Sequence, residues 1–357
     1  MGYPVLEIDL EKIRLNTAHL VGFCHRMNIE VMGVTKGVCA LAPIVKAFYD
    51  GGIRKFGDSR LQNIKTMRDS GFKHPIYLLR IPMPSEAEDV VGLATGSFNS
   101  EIETIKRLSA KSSSNKTKHK VILMVDVGDR REGIMPEDLL DFVKQILELP
   151  GIELEGLGTN VACFGGVLPD KNNVGILFDL AEQVRKRFGI ALQTISGGNT
   201  ATLPLVEKEG QTLNITQLRL GEAILLGKDT SNYRDVPGTS DKTIRLLTEV
   251  IEVKVKPSLP QGHIGRSAFG VIPVYKDTGP MLRAITALGR QDCIIEGIKP
   301  LDKAIKILGA SSDHLLLDIN QARHISVGSL VEFEVSYAAM ISLMLSNYIE
   351  KRYVTIT

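Results

Sequence analysis

Between about residue 30 and residue 220 the chain alternates short, β-branched apolar runs with longer stretches whose apolar residues recur every three to four positions. The short runs suit strands buried on both faces, and the longer stretches suit amphipathic helices packed against them. Eight strands are read in this way: Glu30–Lys36, Lys55–Gly57, Ile76–Leu79, Gly96–Phe98, Val121–Asp126, Leu154–Thr159, Thr194–Ser196 and Gln217–Arg219. Eight strand–helix units in series predict an α/β fold of the (β/α)8 TIM barrel type. The plainest helix is Asp138–Leu149, entered at Pro136 and stopped by Pro150-Gly151. The Ser/Lys/Thr/Asn-rich piece Ser109–Lys120 reads as a solvated loop ahead of the fifth strand.

Beyond about residue 240 the pattern becomes β-rich, with strands at Leu246–Val255, Leu282–Gly289, His314–Asp318 and Leu330–Val335 between Pro/Gly turns. The expected organisation is a barrel domain over residues 1–235, with an amino-terminal strand ahead of the barrel strands as a candidate partner for the second domain, and a mainly β domain over 236–357. The Pro- and Gly-rich stretch Lys256–Pro280 reads as a long ordered loop or a hairpin with a wide tip.

Composition narrows the partners. The 357 residues are 43% hydrophobic and 24% charged, ordinary for a folded chain, and 43 basic residues nearly cancel 41 acidic ones. No global field points to nucleic acid or an anionic membrane, so a small molecule is the expected partner. Cys24, Cys39, Cys163 and Cys293 are scattered, without CxxC or metal-ligand spacing, and no metal is expected. The opening residues lack a basic segment followed by an apolar one, and no run of 18 apolar residues occurs, so a cytoplasmic location is expected.

In a TIM barrel, chemistry gathers at the carboxyl ends of the strands. Lys36 closes the first strand, where a lysine either snorkels to solvent or, with its pKa lowered, forms an imine. Strand seven ends in Ser196-Gly197-Gly198-Asn199-Thr200 and strand eight in Arg219-Leu220-Gly221-Glu222. Each is either a plain glycine turn or, as an adjacent pair after strands seven and eight, a cradle for phosphate. Arg131, in Asp126-Val-Gly-Asp-Arg-Arg-Glu-Gly133, is either a solvated cation or a clamp for a carboxylate. Asn160, after strand six, either caps a turn or lays a flat amide beside a cofactor ring.

Taken together these residues resemble the alanine-racemase-like, fold-type III enzymes of pyridoxal 5′-phosphate (PLP), over nearly the whole chain. The segments Arg219–Gly227, Gly289–Asp292 and Gly309–His314 look most like the ornithine racemase branch. The resemblance implies PLP as cofactor, with Lys36 as its Schiff-base lysine and a catalytic base. It also implies cofactor contacts from Arg131, Asn160, Ser196, Gly198, Asn199, Thr200, Arg219, Gly221 and Glu222, with Arg219 beside the pyridine nitrogen. It implies a homodimer with shared active sites and a two-base racemisation of ornithine, with lysine as a further substrate.

Two departures bear on the substrate. The turn Ser267-Ala-Phe-Gly270 carries Phe269 where alanine racemases have a catalytic tyrosine, and Met124 stands where they have a lysine on strand five. His263, Tyr275, Cys293, Asp313 and Tyr337 are the titratable residues of the second domain that could replace that tyrosine. The alternatives are a racemase of another amino acid such as alanine, and a non-catalytic PLP homeostasis protein, which lacks a second domain. A metal-assisted D-amino acid lyase would need a carboxy-terminal His-x-Cys or His-x-Asp pair, and His314 is followed by Leu-Leu-Leu-Asp318.

Overall fold

The computed structural model describes residues 2–356, which form two compact units. One runs from Leu10 to Asp241; the other joins the residues up to Asp9 to those from Lys242 onward.

The first unit is the barrel. Its strands are β2 (Glu30–Val34), β3 (Lys55–Asp58), β4 (Ile76–Leu78), β5 (Gly96–Asn99), β6 (His119–Met124), β7 (Ile152–Gly158), β8 (Thr194–Ser196) and β9 (Gln217–Leu220), numbered after β1 (Val5–Ile8). All eight pair in parallel, and β9 closes the ring on β2 with Met32 opposite Arg219. This is the barrel that the alternating pattern predicts. Helices α1 (Leu10–Arg26), α2 (Ala42–Asp50), α3 (Leu61–Asp69), α4 (Ala87–Leu93), α5 (Ile102–Ser114), α6 (Leu139–Leu147), α7 (Lys171–Phe188), α8 (Leu203–Glu209) and α9 (Glu222–Leu226) accompany the strands. Met32, Tyr77, Phe98, Ile122 and Met124 form a core cluster of large side chains drawn from four strands, each nearly or wholly buried.

Two local readings are corrected. Ser109–Ser114 is helical, not loop: Ile105, Leu108, Ser109 and Ser112 recur on one buried face of α5, and small serines fit where it packs closely. The Ser109 hydroxyl donates to the Pro150 carbonyl, as does that of Ser113 at 3.0 Å, so these serines bond neighbouring backbone instead of water. The first barrel strand ends at Val34, before Lys36, because Thr35 adopts a helical conformation and leads into the single 3-10 turn Lys36–Val38. No helix among the described residues is long and apolar enough to cross a membrane.

The second unit is a mainly antiparallel sheet. It contains β12 (Ile244–Pro257), β13 (Pro280–Thr286), β14 (Ile298–Pro300), β15 (Lys306–Ala310), β16 (Leu315–Asp318), β17 (Leu330–Val335) and β18 (Glu350–Tyr353), with α10 (Tyr337–Leu345). Numbers β10 (Lys228–Asp229) and β11 (Arg234–Asp235) belong to a small hairpin of the barrel unit. β12 and β13 stay paired out to Pro257 opposite Pro280, so residues 258–279 are the wide tip of a hairpin. β1 lies between β12, antiparallel, and β18, parallel, with all four of its residues buried.

Candidate active site

Lys36 opens the 3-10 turn just past the first barrel strand, and its side chain is exposed. Protein packed around its ammonium lowers the pKa from the ordinary lysine value, chiefly by desolvation. Arg131 and Arg219 push the same way, and Cys163 and Asp58 oppose them. Asp58, fully buried, accepts from the Thr35 hydroxyl at 2.7 Å, from the Arg60 N–H at 2.9 Å and from Asn63 Nδ2 at 3.0 Å. It thereby fixes the turn from which Lys36 projects.

Arg219 is 7% exposed, and its guanidinium lies 5.0 Å above the Phe98 ring. Its Nη1 donates to Ser196 Oγ at 2.6 Å, and its Nη2 to the Thr159 carbonyl at 2.6 Å and to Asn160 Oδ1 at 3.3 Å. Those partners are neutral, and burial pulls its pKa down to about 10. Among the described residues no carboxylate makes an ion pair with either Arg219 or Lys36. Ser196, fully buried, also donates to Gln217 Oε1 at 2.9 Å, so it serves the guanidinium from below and does not face the open mouth.

The two glycine turns meet above β8 and β9. Gly198 has φ +117°, and a Cβ there would come 2.7 Å from Thr202 Oγ1, so both its conformation and its spacing call for glycine. A Cβ at Gly221 would press on Val34 at 3.2 Å. The Asn199 side chain ties the turn down: Oδ1 accepts from the Ala201 N–H at 2.8 Å, and Nδ2 donates to Asn160 Oδ1 at 2.9 Å and to the Val161 carbonyl at 3.0 Å. Thr200 Oγ1 accepts from the Ala223 N–H at 3.3 Å, which leaves its own proton to donate. The N–H groups of Gly198 and Gly221 have no acceptor among the described residues. The Glu222 carboxyl turns away to bond with the Thr230 hydroxyl, and burial raises its pKa.

On the opposite rim, Arg131 pairs with Glu132. Burial works against its charge, but that pairing outweighs it and raises the pKa. The exposed Cys163 accepts from Asn160 Nδ2 at 3.0 Å. Lys36, Arg131, Asn160, Asn199, Thr200, Arg219 and the two glycine turns therefore converge on one mouth. The sequence reading did not single out Asp58 or Cys163: an acid after a short strand and a cysteine in a loop have no distinguishing spacing.

Comparison with known proteins gives this arrangement its place. The model of the alanine racemase N-terminal domain matches residues 8–229. The chain belongs to the alanine racemase family. It is 40% identical to the ornithine racemase of Acetoanaerobium sticklandii over 351 residues, covering 98% of this chain and 99% of that protein. It is 37% identical to the lysine racemase of Thermotoga maritima, covering 99% of each. The alanine racemase of Bacillus anthracis with bound L-Ala-P shares the fold, with a TM-score of 0.76 at 18% identity over 99% of this chain and 96% of that one. Within this family the chain is a PLP-dependent amino-acid racemase.

In the second unit the aromatic ring of Phe269 stacks under the Arg290 guanidinium at 5.5 Å. Of the titratable residues considered there, Cys293 is 2% exposed and burial pushes its thiol up to about 12, which removes it from proton exchange near neutrality.

Proposed function

We propose that this racemase interconverts L- and D-ornithine, and takes lysine as well, using two bases of which Lys36 is one. The observation that carries the substrate is the near end-to-end identity to racemases of two amino acids with a distal ammonium. The loss of the tyrosine at Phe269 and of the lysine at Met124 supports a substrate other than alanine.

The mouth fits PLP. Lys36, desolvated and without an ionic partner, suits covalent attachment of the cofactor through Nζ. The free N–H groups of Gly198 and Gly221, that of Glu222, and the Thr200 proton suit its phosphate, with Asn199 bracing the turn. Asn160 offers a flat amide to the ring. Arg219, held by Ser196, keeps its charge among neutral groups and suits a ring nitrogen that stays unprotonated, since a second cation there would be repelled. Arg131 suits the substrate carboxylate. When bound, PLP supplies an electron sink that eases loss of the proton from the substrate's Cα. Lys36 Nζ moves that proton on one face.

The base for the other face comes in this reading from the second unit of a partner subunit in a homodimer. The exposed apolar residues Ile264, Phe269, Val271, Ile272 and Val274 of the β12–β13 hairpin tip support such an interface. All four cysteines lack a disulfide, in keeping with a reducing cytoplasm.

The test is chiral chromatography of L-ornithine, L-lysine and L-alanine incubated with enzyme and PLP. Ornithine should racemise fastest, and faster turnover of alanine would overturn the assignment. In deuterium oxide a two-base enzyme places label mainly in the product enantiomer; equal early labelling of both enantiomers would point to one base.

A further inference from the structure

The loop after β6 carries Arg131, and the loop after β7 carries Asn160 and Cys163. Between them sits Asp129, 3% exposed, an acid that the proposed chemistry leaves unused. Its Oδ2 accepts from the Phe164 N–H at 2.9 Å and its Oδ1 from the Gly165 N–H at 3.1 Å. Backbone meets backbone at the same place: a Cβ on Gly165 would stand 2.7 Å from the Asp129 carbonyl oxygen.

The strand-six loop is itself built to aim that carboxylate. Gly128 and Arg130, on either side of Asp129, have φ of +141° and +55°. Asp126 Oδ1 accepts from the N–H groups of both, at 2.8 and 3.2 Å. Asp126 N–H donates to the Ile134 carbonyl at 3.0 Å and Ile134 N–H to the Met124 carbonyl at 2.8 Å, closing the base of the loop. A left-handed residue at Arg130 has a conformational cost that the loop sustains through these bonds.

We propose that Asp129 is a positioning residue, a clasp that holds the loop after β7 against the loop after β6 and so sets Arg131 in register with Asn160 and Cys163. The inference rests on the reading of Arg131 as the holder of the substrate carboxylate. Two charge-assisted hydrogen bonds to backbone N–H groups are strong enough to fix a loop, and losing them frees Phe164 and Gly165 without touching the barrel wall. Displacement of a binding arginine appears in KM when the reacting atoms stay in place.

The experiment compares wild type with Asp129→Ala, Asp129→Asn and Gly165→Ala by amide hydrogen exchange, PLP titration and steady-state kinetics with ornithine. In Asp129→Ala the Phe164 and Gly165 amides should exchange about tenfold faster. KM should rise about tenfold with kcat within about threefold, and PLP affinity should hold. Asp129→Asn, which keeps an acceptor, should recover part of KM, and Gly165→Ala should reproduce the rise with the acid intact. If Asp129→Ala does not fold, the other two variants decide. Unchanged exchange at both amides, or raised KM with both still protected, would overturn the clasp. Should wild type fail to turn over ornithine, the substrate reading falls while the exchange measurement still judges the clasp.

Discussion

The two ends of the barrel treat charge in opposite ways. At the amino ends of the strands, Glu155 is 3% exposed and accepts from the Tyr77 hydroxyl at 2.7 Å and from Thr194 Oγ1 at 3.2 Å. Lys55 and Lys120 stand 3.7 Å from its two oxygens, and each reaches a further acid, Glu30 at 2.9 Å and Glu153 at 3.6 Å. Every charge there has an opposite inside the chain, and burial together with Glu155 pushes the Tyr77 phenol upward. At the carboxyl ends, Lys36 and Arg219 are desolvated with only neutral or distant partners. A network closed on itself contributes to stability; cations left open call for something from outside. Net charge conceals the difference, since the whole chain is nearly neutral.

Substitutions should keep the two ends distinct. Lys36→Ala should lose the covalent cofactor and lower turnover by at least roughly 10³-fold, about 4 kcal/mol, with the melting temperature of the cofactor-free protein unchanged. Mass spectrometry after borohydride reduction reads the first effect; near-normal turnover would break the contrast at its upper end.

Acid should act on the lower half. His119, first residue of β6, is 1% exposed, with Nε2 2.8 Å from Ser97 Oγ and Nδ1 unbonded. Burial lowers its pKa from 6.5 to about 4. The unfolded chain therefore takes up this proton below pH 6.5 and the folded chain only near 4, so stability is complete above that window and is lost as pH falls through it. The loss should approach roughly 3 kcal/mol at its end. Urea unfolding at pH 7.5, 6 and 5, in wild type and in His119→Gln, checks it; an unchanged pH slope in the variant would exclude His119 as the cause.

Glu155→Ala strands the Tyr77 hydroxyl and two half-buried lysines, and should cost about 2 kcal/mol, read from the urea midpoint. Once folded, the variant should racemise normally, and a fall in kcat would mean that the ends are coupled. The smallest effect belongs to Thr200→Val, which removes one donor to phosphate and should weaken PLP binding by about 1–2 kcal/mol, roughly tenfold. Equal cofactor affinity would reduce Thr200 to a brace for α9.

The barrel was legible because strands and helices impose different periods on the apolar residues, and the glycine turns because Gly198 and Gly221 occupy places where a Cβ has no room. Ser109–Ser114 misled because composition outweighed position: a serine on the inner face of a helix looks, in sequence, like a serine in a loop. The Glu155 network was out of reach for a different reason. Lys55, Lys120 and Glu155 are scattered over three strands, and only closure of the ring brings them together. Asp129 belongs with it, since its partners are backbone groups that leave no trace in residue identity, and Asp58 meets Thr35 only across two strands of the barrel.

The short strand β1 carries a consequence for synthesis. Val5–Ile8 pairs with Ile244–Leu247 and with Glu350–Tyr353, so one of its edges finds a partner only once about 340 further residues have been made. At roughly 5–20 residues per second, that is an interval of tens of seconds. Through it the apolar Val5, Leu6 and Ile8 precede both of their partner strands in the chain, while residues 10–241 already contain every strand of the barrel. The barrel is thus able to form while β1 still waits, and the second unit is completed late, from segments that precede and follow the barrel in the chain. Nascent chains halted before β18 should accordingly present β1 to chaperones or to one another as an open strand edge.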